Sequence, residues 1–295
     1  MNEIQLQKLN NLREKIDNID SQILKLLNDR MDVVAQVAEL KKNSNDKFFI
    51  RSSREADMLK QLVDKSSGNF PKISILNIWR KIITSANMLE QPIKIAIHNP
   101  NNISDLQYLV KEYYTNFIPM TNFDSANNIV SELENNHHQI AIFALPNLAE
   151  DFDKKEDVKN NWWISLANNQ IGINIFAKIP FFEYLEPEKN TQKFQLVAVA
   201  IKAPEQSSCD KTIICVETQK EVAKTTILGA LSELEIVGKV LKTAQIIQFE
   251  GIKFHLIELD GFYLNQDERI KKFAQAKFKP FVKVLGHYPT SIILN

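Results

Sequence analysis

The sequence predicts a multidomain chain, all-helical at its start, α/β in its middle and βαββαβ at its end, and three observations carry that reading. The first is the run from Ile4 to Lys42, free of Pro and Gly, whose apolar side chains recur at intervals of three and four, the period of an α-helix. The second is a change of period past Pro92, where short apolar runs alternate with helical patterns, as in an α/β unit. The third is the order strand, helix, strand, strand, helix, strand from Lys211 onward, which is the ferredoxin-like split unit. The expected boundaries are 1–91, 92–203 and 204–295.

The long run sets the problem that the rest of the chain must solve. Its apolar positions include Leu6, Leu9, Leu12, Ile16, Ile19, Ile23, Leu26, Val33, Val37 and Leu40. A helix over it is roughly 55 Å long. Such a helix cannot cover its own stripe, so a second long helix must. A polar break, Asn43-Ser44-Asn45-Asp46, follows. Ser52 or Ser53 is then placed to cap a short helix from Arg54 to Asp64 with acid in its first turn. Pro71 opens a third helix through Ile73, Leu76, Trp79, Ile82, Ile83, Ala86 and Leu89, and Pro92 ends it.

Strands are expected at 93–98, 139–145, 171–179 and 194–201, with helices at 104–114 and 125–134 between the first two. The charged stretch from Glu150 to Lys159 reads as a solvated loop or helix face, and the adjacent Trp162 and Trp163 as a packed anchor. The last part reads as strands at 212–216, 240–249, 253–259 and 281–285, with helices at 220–234 and 266–277. Gly251 makes the turn between its middle strands and Gly261 ends the second of them.

Composition excludes several functions. Lys plus Arg and Asp plus Glu both number 36, so no net charge marks a nucleic-acid or membrane partner. No apolar run reaches membrane-spanning length, and the opening Met1-Asn2-Glu3-Ile4 has no signal pattern, so a cytoplasmic protein is expected. Cys209 and Cys215 are too few and wrongly spaced for a disulfide framework or zinc site and read as reduced thiols. The five histidines show no ligand spacing and read as surface or satisfied polar residues. No metal or cofactor is expected.

Six polar residues of the helical part carry the functional signal: Arg13, Arg30, Lys41, Arg54, Glu55 and Glu90. Arg30 and Lys41 are eleven residues apart, within roughly 20° on one helix face and three turns along it. Arg13 lies well off that direction. An arginine that interrupts an apolar seam is costly unless an anion meets it. Four of the six are cations and none is a Ser, Cys or His beside a base, so the set suits binding a small polyanion and stabilising negative charge. Taken singly, the arginines also suit snorkelling surface positions, and Lys41 and Glu55 suit helix-dipole roles.

Leu12-Arg13-Glu14-Lys15-Ile16, then Ile19-Asp20, Leu26-Leu27, Arg30 and Lys41, resembles the first helix of the all-helical chorismate mutases. Arg54-Glu55 and Trp79-Arg80-Lys81-Ile82-Ile83 through Glu90 resemble that family's second and third helices. The resemblance implies an intertwined homodimer, all-α, that rearranges chorismate to prephenate without a cofactor. It implies that Arg30 and the partner's Arg13 bind the two substrate carboxylates and that Lys41 donates to the ether oxygen. Glu55 would accept from the ring hydroxyl, Arg54 would line the pocket, and Glu90 would be a second donor to the ether oxygen. Arg51 stands where many members carry an acid, and Ala86 and Glu90 where some carry serine and glutamine.

The order of the three parts resembles the bifunctional chorismate mutase–prephenate dehydratases. Gly229-Ala230-Leu231 and Val284-Leu285-Gly286-His287-Tyr288-Pro289 are similar to the ends of their ACT domain. Asn99-Pro100-Asn101-Asn102 stands where a Gly-Pro-x-Gly-Ser motif is expected, no Thr-Arg-Phe occurs, and Ile247-Gln248-Phe249-Glu250 replaces Glu-Ser-Arg-Pro. The expectation is a working mutase with degenerate dehydratase-like and ACT-like extensions. Two alternatives stay open: a bifunctional enzyme with a drifted dehydratase site, and a non-catalytic sensor of an aromatic-pathway acid. Because the candidate cluster precedes Pro92, mutase activity is expected to survive removal of 92–295.

Overall fold

The computed structural model describes residues 2–41, 48–146, 155–169, 171–186, 188 and 194–294. The chain divides into two compact units, 1–49 with 85–92 and 50–84 with 93–295. The first is built on helix α1, Glu3–Lys41. Asn2 accepts from the Gln5 amide at 2.9 Å while Gln5 accepts from the Asn2 amide at 3.1 Å, a reciprocal cap that satisfies two donors at the helix start. No residue of α1 is buried. Ile16, Ile19, Ile23 and Leu26 stay 50–66 % exposed, so the seam has the helical period and its cover is not within this chain's described residues. The polar break at Asn43–Asp46 lies outside them.

In the second unit, α2 spans Ser52–Lys65, and α3, Lys72–Glu90, begins here and gives its last turns to the first unit. The sequence placed a capping serine before α2, but Arg51 is the N-cap and Ser52 and Ser53 are helical. Both serines are buried, and the Ser53 hydroxyl donates to the Glu205 carbonyl at 3.2 Å; a tertiary contact replaces the cap.

The chain continues as β1 (Ile95–His98), α4 (Ser104–Tyr113), β2 (Met120–Phe123), α5 (Ala126–Glu134) and β3 (Ile140–Ala144). Then come β4 (Lys155–Glu156), α6 (Trp162–Ala167), β5 (Ile173–Ile179), β6 (Phe182–Tyr184) and β7 (Leu196–Ile201). The final elements are β8 (Asp210–Gln219), α7 (Lys224–Ser232), β9 (Gly238–Ile246), β10 (Ile252–Asp260), α8 (Glu268–Ala274), β11 (Phe281–Pro289) and β12 (Ile292–Leu294). Of the charged stretch 150–159, only 155–159 are described.

Among the described residues ten strands join in one sheet, in the order β2-β1-β3-β7-β5-β11-β8-β10-β9-β4. Strands β2, β1 and β3 are parallel, and β7 runs antiparallel to β3 and β5. The βαββαβ part holds the order β11-β8-β10-β9, all antiparallel, as its sequence pattern predicted. Gly251, at φ +79°, makes the turn between β9 and β10. The middle and last parts share this sheet, through a parallel pairing of β11 with β5 at Gly286 and Ile175.

Four strands escaped the sequence reading. β4 falls in the charged stretch read as a solvated loop or helix face, where Lys155 and Glu156 pair with Gln245 and Ile246 of β9. β2 exposes both of its central residues, and β6 and β12 are three residues each, paired only with one another. None has the alternation that marks a strand. β11 also runs four residues past the expected Leu285, because Gly286 continues the strand at a bulge instead of breaking it.

Trp162 and Trp163 are buried in the main core, as expected of an anchor. The Trp162 indole donates to the Ala144 carbonyl at 2.8 Å and stacks on Phe143. Four of the five histidines are buried, and His138 and His255 among them are satisfied polar residues, as the sequence reading allowed. His255 is wholly buried between the Thr218 and Thr243 hydroxyls. His98 and His287 are buried with one ring nitrogen each lacking a partner among the described residues. Burial lowers the His98 and His255 pKa values to about 4. Below the ordinary value of about 6.5 the unfolded chain therefore binds more protons. Their contribution to stability is lost as pH falls through that window.

Candidate functional site

The first unit brings two sequence candidates together. Lys41, in the last turn of α1, donates to Glu90 Oε2 at 2.9 Å, with side chains 27 % and 10 % exposed. The Lys41 ammonium also lies 5.3 Å from the centre of the Phe49 ring, a cation–π contact that desolvation strengthens. Eleven residues back on the same helix, Arg30 has a buried Nη1 with no hydrogen-bond partner among the described residues. A buried guanidinium nitrogen without an acceptor is costly. Lys41 and Glu90 form an ion pair at the end of α1, with Arg30 roughly 16 Å back along that helix. Arg13 is exposed and lies about 25 Å from Arg30 along α1.

The second unit holds the other two candidates. Arg54 is exposed on the first turn of α2. Its neighbour Glu55 accepts from Arg80 Nη1 at 2.7 Å. Arg80, on α3, is 4 % exposed; it also donates to the Tyr113 hydroxyl at 3.3 Å and lies 4.7 Å over that ring. Burial opposes its charge, and Tyr113, Glu55 and Tyr114 more than offset that cost, so its pKa is raised. The sequence reading did not single out Arg80, although a signal existed. The period that turns Leu76 and Ile83 inward also turns position 80 inward.

Supporting contacts hold this arrangement. Lys81 donates to the carbonyls of Lys111 and Tyr114 at 3.3 and 3.2 Å, capping the end of α4 where cations are favoured. Arg51, whose charge had no assigned role, pairs with Glu205. Glu205 also receives Lys202 at 3.1 Å. Leu59, Val63, Leu76 and Ile83 of α2 and α3 form a core with Leu294, against which Phe181, Phe182, Tyr184 and Ile292 pack. A separate cavity of about 330 Å³, lined by Asn77, Arg80, Tyr113, Phe181 and Phe194 among others, contains none of the six sequence candidates.

Residues 12–91 match the model of the family described as chorismate mutase type II, so the N-terminal part of the chain is a domain of that type. Relatives named bifunctional chorismate mutase/prephenate dehydratase come from Aquifex aeolicus, 31 % identical over 99 residues, and Stutzerimonas stutzeri, 32 % identical over 97. Each alignment covers 32 % of this chain and 27 % of the relative. The chain therefore spans about a quarter of the length of the curated relatives it matches. A prephenate dehydratase structure from Streptococcus mutans superposes on 68 % of this chain and 100 % of its own, at 15 % identity and a TM-score of 0.44. A quorum quenching acylase, GqqA, covers the same share of this chain and 96 % of its own, at 12 % identity and a TM-score of 0.46. No described helix is long and apolar enough to cross a membrane.

Proposed function

We propose that the protein is an isomerase of aromatic amino acid biosynthesis that rearranges chorismate to prephenate, acting as a homodimer through α1. The observation that carries this reading is the buried Nη1 of Arg30, without a hydrogen-bond partner among the described residues, on the helix that presents Lys41 to Glu90, within the residues that match the mutase family. A unimolecular rearrangement needs a compact substrate conformer and a fixed field, not a nucleophile. Arg30 and Arg13 of the partner subunit hold the two carboxylates. Lys41 donates to the ether oxygen as negative charge grows there. Glu55 accepts from the ring hydroxyl and Arg54 lines the pocket. We read β8 to β11 as an ACT-like unit, on its βαββαβ order. The deciding assay follows loss of chorismate absorbance with purified protein and identifies the product without acid treatment, which would itself dehydrate prephenate. Prephenate formation above the spontaneous rate is expected; its absence removes the enzyme reading.

The dimer follows from the exposed seam of α1 and the distance of Arg13 from Arg30. In a two-fold dimer each pocket draws Arg30 from one chain and Arg13 from the other. Arg13→Ala and Arg30→Ala should each be nearly inactive. Mixed in equal amounts after dissociation, they should recover about a quarter of wild-type activity, since half the dimers are mixed and one of their two pockets is intact. No recovery would place both arginines in one chain's pocket or neither in a pocket.

Glu90 is the second donor to the ether oxygen, and it can donate only as the neutral acid, because a carboxylate would oppose the growing charge. In the free protein it accepts from Lys41. Glu90→Gln, whose amide always donates, should therefore keep or raise kcat/KM, whereas Glu90→Ala, which cannot donate, should lower it. The measurement is kcat/KM for the wild type and both variants under one condition in which all stay folded. A folded Glu90→Ala variant as fast as the wild type removes Glu90 from this role.

A further inference from the structure

We infer that Arg80 is a positioning residue for this reaction, acting through Glu55, with Tyr113 of α4 holding it in place. The inference rests on the mutase reading above. A glutamate on the first turn of a helix has three rotatable side-chain bonds, and ordering such a chain costs conformational entropy. Glu55 meets that cost before any substrate arrives, since its Oε2 is held at 2.7 Å by a guanidinium that is itself 4 % exposed. Arg80 is fixed in turn. The Tyr113 hydroxyl accepts from the same Nη1 and its ring lies 4.7 Å beneath the guanidinium. Tyr113 is itself held edge-on by Tyr114 and Phe181, with ring centres 4.8 and 5.7 Å away. A carboxylate placed in advance accepts from the ring hydroxyl without reorganising, which is where fixed dipoles and charges gain their catalytic effect.

The chemistry asks for arginine in particular. A planar fork fixes the direction of its acceptor, whereas an ammonium supplies charge on a flexible stem. Tyr113 lies beyond the segment that matches the mutase family, so this chain supports the Glu55 carboxylate with a side chain from its α/β part. A purely structural Arg80 would contribute to the core of α2 and α3 and leave the reaction of folded protein unchanged.

The test is a double-variant cycle on chorismate with the full-length protein, made of Arg80→Gln, Glu55→Gln and their combination, with Arg80→Lys beside them. A charged hydrogen bond of this kind predicts a loss in kcat/KM of about 10- to 100-fold for Arg80→Gln. Arg80→Lys should fall between that variant and the wild type. The combined variant should be no slower than Glu55→Gln alone, because Arg80 has nothing left to position. Thermal midpoints identify any variant that fails to fold. If Arg80→Gln does, Arg80→Lys replaces it in the cycle with the same expectation of non-additivity. Losses that multiply in the combined variant overturn the inference, as does full activity in the folded Arg80 variant. A wild type that does not convert chorismate overturns the mutase reading instead, which keeps the two failures distinct.

Discussion

Replacing Gly286 with alanine should lower the thermal midpoint by roughly 10 °C, from about 3 kcal/mol of overpacking and backbone strain at about 2–4 °C per kcal/mol. A Cβ at this position would sit 2.2 Å from the Ile175 amide nitrogen and 2.4 Å from its carbonyl oxygen. Both contacts are with backbone, which cannot rotate away as a flexible side chain can. The φ of +138° adds strain for any residue with a side chain. The pairing at stake is the one that joins β11 to β5, so loss of cooperativity in the melt should accompany the lower midpoint. A midpoint within 2 °C of wild type, with an unchanged slope, would be the contrary result by the same scale.

Cutting the chain after Pro92 should cost the helical segment its stability, and with it most of the activity that the sequence led us to expect it to keep. The core that α2 and α3 share with Leu294 is covered by Phe181, Phe182, Tyr184 and Ile292, all removed by the cut. Each large apolar side chain contributes about 1.5–3 kcal/mol on burial, so losing several rivals the about 5–15 kcal/mol by which a domain is stable. Arg80 would also lose Tyr113. A 1–92 fragment should show a broad, poorly cooperative helical melt and at least a tenfold lower kcat/KM than the full chain. A fragment that melts sharply at the full-length midpoint and keeps full activity would show that α2 and α3 need nothing beyond Pro92.

That contrast shows where the sequence was legible. The period of α1 and the polar positions on it are local patterns, and a helix of 39 residues follows from them directly. The βαββαβ order was legible for the same reason, since strands β8 to β11 are long and their turns carry glycine. Other features depend on partners distant in sequence. Gly286 looked like the end of a strand because nothing nearby reveals that Ile175 will lie against it. Arg80 was legible only as one more charge in an amphipathic helix until Glu55 and Tyr113 gave it partners on two other elements. The short strands β6 and β12 have no pattern of their own and exist because each supplies the other's edge.

The pairing of β12 with β6 also has a consequence in time. Leu294 completes the core that holds α2, and it is made 239 residues after Glu55, by subtraction of their positions. At a synthesis rate of about 5–20 residues per second, the apolar face of α2 and α3 waits roughly 12–48 s for that strand. Throughout that interval the growing chain presents Leu59, Leu76 and Ile83 uncovered by Leu294. The Glu55 end of the site is thus assembled late, by a contact of very high sequence separation, the kind that slows folding most. A helical segment that looks as though it should form first therefore waits for a strand made long after it.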